Sequence, residues 1–242
     1  MFKASDLGYY TRAHQFSDFP SSNVSGIIQR VTFPVLCTIQ DDEQRLRNVY
    51  RNFLRLAGFV VFPLMVGMAA LAHPLINTVL TPKWAFAGTL LQVICLSMMW
   101  YPIHSININL LQVKGRSDLF LKLEIIKKIV GVTIMCISVP FGIIAMCWGA
   151  LASSLIALVI NTHYTGKLIN VGFFMQIRDL LPSLAYSFSM GAVVWLVSQL
   201  IPSDLLSLIV GIPVGLVYFF TITKFTGSRD LRELISFVKS KK

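Results

Sequence analysis

Seven polar residues recur at positions 11, 15, 18, 22, 25, 29 and 32: Thr11, Gln15, Asp18, Ser22, Ser25, Gln29 and Thr32. Steps of four and three residues place such groups along one side of an α-helix. Arg12 and Arg30 flank the stripe, and Phe16, Phe19, Val24, Ile27, Ile28, Val31, Val35 and Leu36 occupy the other faces. Hydroxyls, amides and guanidinium groups in this order suit reversible binding of polar ligands, not covalent chemistry. A second charged set lies at Glu124, Lys127 and Lys128, and His104, Asn107, Asn109 and Gln112 form a third polar stretch. The chain has no HExxH, no GxSxG, no phosphate-cradling glycine loop and no paired carboxylates at a segment end, so no enzyme motif and no cofactor motif is present. Cys37, Cys95, Cys136 and Cys147 form no CxxC pair and read as small buried hydrophobes.

The elements that hold these residues are set by the charge-free runs. No Asp, Glu, Lys or Arg occurs in Leu56–Pro82, Trp84–Val113 or Ile129–Gly166. About 20 apolar residues suffice to cross about 30 Å of hydrocarbon. The third run is too long for one crossing and breaks at Pro140-Phe141-Gly142. Overall 55% of residues are hydrophobic and 13% charged, against about 25% charged in a typical soluble domain. The net charge of +10 does not indicate nucleic acid, because the basic residues sit in short blocks between apolar runs, as the positive-inside rule produces. Arg45, Arg47, Arg51, Arg55, Lys114, Arg116, Lys167, Arg178 and the tail fall on one side; the other side holds Lys83 and little else. That basic side is expected to be cytoplasmic.

The expected fold is all-α: a polytopic membrane helix bundle of about seven transmembrane helices. Trp84–Val113 reads as one crossing, 167–179 as a mixed loop, and 180–201 with 205–223 as a final hairpin. The tail from residue 224 reads as an amphipathic helix on the cytoplasmic surface, its apolar side Leu231, Leu234, Ile235 and Val238, its lysines drawn to anionic lipid. The polar-striped segment either faces a water-filled cavity or partner helices, or lies along the surface. Only 12 uncharged residues precede the Pro140 turn, enough for about 18 Å, so Lys127 and Lys128 must enter the bilayer edge. There they snorkel to headgroups or point into a polar cavity, and Glu124 can pair with Lys128 along the helix.

Four stretches carry a family resemblance: ASDLGYYTRAHQFSDFPSSN (Ala4–Asn23), RVTFPVLCTIQDDEQRLRNVYRNFLRL (Arg30–Leu56), FPLMVGMAALAHPLINTVLTPKW (Phe62–Trp84) and KGRSDLFLKLEIIKK (Lys114–Lys128). In this order they resemble the C-terminal half of bacterial polysaccharide or lipopolysaccharide (O-antigen-type) exporters, flippases of the multidrug/oligosaccharidyl-lipid/polysaccharide superfamily. The resemblance implies two six-helix lobes around a central cavity, sometimes with an extra helix pair, and translocation of lipid-linked oligosaccharide across the inner membrane by alternating access. On that map residues 1–166 are a partial second lobe, 167–223 a cytoplasmic loop and extra hairpin, and 224–242 a basic cytoplasmic tail. The first lobe and one helix are missing, so this lobe is expected as a partner, with membrane lipids and a polyprenyl-diphosphate-linked glycan; no nucleic acid is expected. Position in the chain, not the resemblance, marks the candidates for a substrate path as Arg12, Gln15, Asp18, Ser22, Ser25, Gln29, Arg30, Asn107, Glu124, Lys127 and Lys128, with Arg12, Arg30, Lys127 and Lys128 toward the diphosphate and Ser22, Ser25, Gln29 and Asn107 toward sugars. A cation-coupled multidrug exporter, using Asp18 and Glu124, and an inactive truncated fragment are the alternatives.

Overall fold

The computed structural model describes the backbone of residues 3–239 and the side chains of residues 3–234. Ten α-helices follow one another: α1 (Ala4–Thr38), α2 (Glu43–Ala70), α3 (Ala72–Val79), α4 (Ala85–Met98), α5 (Tyr101–Val113), α6 (Ser117–Ser138), α7 (Ile143–Ile169), α8 (Phe173–Leu200), α9 (Asp204–Phe225) and α10 (Arg229–Lys239). The protein is an all-α membrane bundle with five stretches long and apolar enough to cross a bilayer: α2, Pro82–Val113, α7, α8 and α9. The helix α6 falls outside that set because Lys122, Glu124, Lys127 and Lys128 interrupt it, and α1 because its many polar residues lower its hydropathy. The side chains of Ile235 and Val238 lie outside the described residues.

The run Trp84–Val113 is not one helix. It breaks into α4 and α5 at Met99–Trp100. Pro102 has no N–H to give the Met98 carbonyl four residues back. The Ser21 hydroxyl of α1 donates to that carbonyl instead, at 2.8 Å. The α4–α5 unit forms the centre of the bundle, with Leu90, Leu91, Ile103, Ile106 and Leu110 fully buried. Against it pack α1, α2 and α7.

The expected loop over 167–179 is also mostly helical. Only Asn170–Gly172 separate α7 from α8. Asn170 ends α7 in the left-handed region at φ 55°, and Gly172 comes so close to Gly166 that an added Cβ there would lie 3.0 Å from its Cα. Arg178 and Asp179 are therefore helical residues of α8, whose main partner is α2.

Small residues set the closest approaches, as their spacing in the sequence suggests. The Ser183-Ser187-Gly191 edge of α8 is buried, and a Cβ on Gly191 would meet Val66 of α2 at 2.5 Å. Gly149 of α7 sits on Ser138 and Ile134 of α6, and Gly211 and Gly215 of α9 sit on Leu71 and Val194. Beside the last contact, α2, α8 and α9 enclose an apolar groove of about 520 Å³, lined by residues such as Phe59, Pro63, Met190, Gly211 and Phe220.

The tail helix α10 does not lie free on the surface. Leu231 is buried in a small cluster with Phe59, Leu71, Met190, Val194 and Phe219, and Leu234 packs against it.

Overpacking a close helix contact costs about 1–3 kcal/mol. Gly191→Ala is therefore expected to lower the thermal midpoint of the detergent-solubilised protein. An unchanged midpoint would contradict the α2–α8 contact.

Candidate functional site

The helix α1 is held by one edge and free on another. Its buried edge is Ala13, Ser17, Ser21, Ser25, Thr32 and Leu36, facing α4 and α5. The polar stripe lies beside this edge and divides. Ser25 and Thr32 turn into the bundle, Asp18 and Ser22 are half-buried, and Thr11, Gln15 and Gln29 are exposed with Arg12 and Arg30. Most hydroxyls bond to their own helix: Thr11 to Leu7 O at 2.7 Å, Ser22 to Asp18 O at 2.7 Å and Ser25 to Ser21 O at 2.7 Å. Gln29 crosses to Ser105 of α5. Arg12 donates to Gln15 Oε1 at 3.0 Å and lies over the Trp84 ring, 6.0 Å from its centroid. Tyr9 meets Trp84 and Phe86 edge-on beside it. At about 1.5 Å per residue, Arg12 and Arg30 lie about 27 Å apart along the helix. They cannot grip one diphosphate together; they can serve successive positions along a path.

The α6 charges differ from expectation in their pairing. Glu124 binds Lys127, one turn on, rather than Lys128. Lys127 is 14% exposed at its side chain, while Lys128 is exposed. Both α1 and α6 pack against α5. Lys127 also lies within electrostatic reach of His104, whose Nε2 is 3.1 Å from Ser154 Oγ and whose Nδ1 is 3.3 Å from Asn161 Nδ2.

Asn107 has no group left for a sugar. It is 1% exposed. Its Oδ1 accepts from Tyr50 OH at 2.9 Å, Thr165 Oγ1 at 2.7 Å and Gln176 Nε2 at 3.3 Å. Its Nδ2 donates to Ile103 O at 2.9 Å and Gln176 Oε1 at 3.2 Å. This one side chain joins α2, α5, α7 and α8, and its role is structural.

The turns at one end of the bundle carry the basic blocks. There Lys114 donates to Gln40 O at 2.7 Å, and Arg47 donates to Asn170 O at 3.1 Å. Arg51 makes a two-pronged pair with Asp179 of α8, at 2.6 and 2.7 Å. Arg55 lies 3.4 Å from Asp230 and 3.1 Å from Glu233 of α10. The Arg51–Asp179 pair escaped the sequence reading because 167–179 read as a loop. The four-residue spacing of Arg47, Arg51 and Arg55 was the available signal. Among the described residues no group of three or more His, Cys, Asp or Glu is placed to hold a metal ion.

Known proteins bear on this arrangement. Residues 1–87 match the family described as polysaccharide biosynthesis protein. An uncharacterized membrane protein in the cps region of Klebsiella pneumoniae is 31% identical over 54% of this chain and 27% of its own length. The lipopolysaccharide biosynthesis protein WzxC of Escherichia coli K12 is 26% identical over 73% of this chain and 34% of its own. The succinoglycan biosynthesis transport protein ExoT of Rhizobium meliloti is 22% identical over 98% of this chain and 49% of its own. A lipid II flippase, MurJ in an inward closed conformation, superposes with a TM-score of 0.79 at 18% identity, over 97% of this chain and 49% of its own. The chain thus spans half or less of the length of each of these proteins. It is similar to polysaccharide biosynthesis and export proteins and shares its fold with the part of MurJ that it covers.

Removing a buried acceptor strands its donors, each at about 1–3 kcal/mol. Asn107→Leu is expected to lower unfolding stability in mixed micelles by about 2–4 kcal/mol in sum. Asn23→Ala, on the exposed side of α1, should shift it by less than about 0.5 kcal/mol. Equal effects of the two would remove Asn107 from its place as a hub.

Proposed function

We propose that this chain forms most of one lobe of an alternating-access flippase that moves lipid-linked oligosaccharides across the bacterial inner membrane. The observation that carries this reading is the exposed polar and cationic side of α1. A helix packed into an apolar bundle along its small-residue edge leaves Arg12, Gln15, Gln29 and Arg30 uncovered. In hydrocarbon such groups are costly, so they belong against water or another polar surface. A cavity shared with a first lobe supplies that surface. On this reading α1 and α6 cross the membrane with the five apolar spans, giving about seven crossings.

The basic turns then lie in the cytoplasm with α10. A diphosphate head passes Arg12 and Arg30 in succession, each offering a planar fork of donors, with Lys128 as a further cation. Gln15 and Gln29 lie where a glycan would pass. The partner is a first lobe of the same fold, and the substrate class is a polyprenyl-diphosphate-linked glycan. A cation-coupled drug exporter is less well supported, because of its two candidate carboxylates, Asp18 and Glu124, the second is already paired with Lys127.

The test is to make Arg12→Ala and Arg30→Ala in the chromosomal gene, where any partner lobe is also present. Losing a charge-assisted contact of about 1.5–3 kcal/mol predicts at least a tenfold fall in surface polysaccharide, with glycan retained inside and unchanged membrane abundance of the protein. Normal surface display in both variants would refute the assigned path. Loss of resistance to a cationic dye without loss of display would favour the drug exporter.

A further inference from the structure

The helix α10 has two faces of opposite charge. Arg229 and Arg232 are exposed, Asp230 and Leu231 are buried, and Glu233 and Leu234 are half-buried. The inward face therefore presents two carboxylates and two leucines. Leu234 reaches the lining of the apolar groove at the end where the basic turns lie, and Leu231 joins the cluster around Phe59 and Met190. The carboxylates meet Arg55 of α2, which is 16% exposed and stands between Asp230 at 3.4 Å and Glu233 at 3.1 Å. Ser183 of α8 donates to Asp230 Oδ2 at 3.5 Å.

Beside this attachment Asp179 lies one turn away on Arg51. Burial pushes the Asp230 carboxyl above the usual carboxylate range, and Glu233 and Asp179 push the same way against Arg55. The connection to α9 is the exposed turn at Thr226–Gly227, where Gly227 takes φ +64°. A residue in that region turns the chain sharply, and the turn is braced from α10 itself by Arg232, which donates to Gly227 O at 2.7 Å. Among the described residues the segment that covers the groove end is held by the Arg55 pairs, the Ser183–Asp230 contact, Leu231 and Leu234, beyond a glycine turn.

We propose that α10 is a detachable cap over the basic end of the α2–α8–α9 groove, latched by the pairing of Asp230 and Glu233 with Arg55. The outward arginines give the released helix a cationic face that suits an anionic membrane surface. The cap does not depend on what the bundle transports.

Backbone hydrogen exchange of the full chain in lipid nanodiscs tests this, read by mass spectrometry on peptides from α10 and from α8. Asp230→Asn with Glu233→Gln leaves the core helices untouched and should speed exchange across residues 229–239 roughly tenfold, as loss of a charge-assisted contact predicts. Arg55→Gln should do the same. Arg55→Glu combined with Asp230→Arg and Glu233→Arg should return the rate to within about threefold of the starting protein, because the pairing is restored with its signs reversed. In every variant the peptide around Ser183 should keep its slow exchange. Wild-type rates in the neutral variants, no recovery in the reversed one, or equal acceleration of α8 would each overturn the latch.

Discussion

A polar group buried away from water must find its partner within the protein. The Asn107 amide is where this constraint acts hardest. Three donors converge on its oxygen and two acceptors on its nitrogen, all buried. Four helices from distant parts of the sequence are thereby held at one point, with α5 at the centre. The remaining helices are arranged around these four. The helix α1 lies on α4 and α5, α6 on α5 and α7, and α9 on α8 and α3. Such a network fixes one arrangement more firmly than apolar contacts do, because a shift of any member strands the others.

The same constraint explains how α1 is placed. Pro102 leaves the Met98 carbonyl without its helical donor, and Ser21 supplies one from the neighbouring helix. That bond needs the two helices close together, and the Ala13-Ser17-Ser21-Ser25 edge allows it. Docking by a small-residue edge covers little of α1's surface. Its wide remaining side carries both exposed apolar residues, such as Phe19 and Ile27, and the uncovered polar ones. A break in the central helix and a partly polar neighbour are in this sense one feature.

Much of this was legible in the sequence. Charge-free runs located the apolar spans, and small residues four apart (Ala145, Gly149, Ser153 and Ala157; Ser183, Ser187 and Gly191; Gly211 and Gly215) mark edges of α7, α8 and α9 that make close contacts. The stripe on α1 was legible as a helical pattern but not as a single exposed face. Its average spacing of 3.5 residues drifts by about 20° per heptad on a real helix. Over the three heptads from Thr11 to Thr32 that is about 60°, enough to turn Ser25 and Thr32 into the interface and leave Thr11 and Gln15 outside. The split of Trp84–Val113 was hidden because no charge interrupts the run; Pro102 alone carried the signal. The part played by Asn107 was not legible at all, since Tyr50, Thr165 and Gln176 come near it only in the fold.

The arginines of α2 show why charge counting and packing cannot be separated here. Arg47, Arg51 and Arg55 stand four apart, so they share one side of the helix. They reach, in turn, the α7–α8 turn, Asp179 of α8 and the carboxylates of α10. A positive-inside count reads these residues only as topology signals. In the fold each is a strut between elements at the basic end. Breaking a buried pair leaves an uncompensated charge at a cost of about 3–5 kcal/mol, while half-exposed pairs cost less. Arg51 is 32% exposed and Asp179 only 8%, so the burden of a broken pair falls on the carboxylate in α8. That helix also gives Gln176 to the Asn107 network and Gly191 to the close contact with α2. Its first turns are therefore tied by hydrogen bonds and charge, and its later turns by shape, which makes α8 part of the bundle's frame.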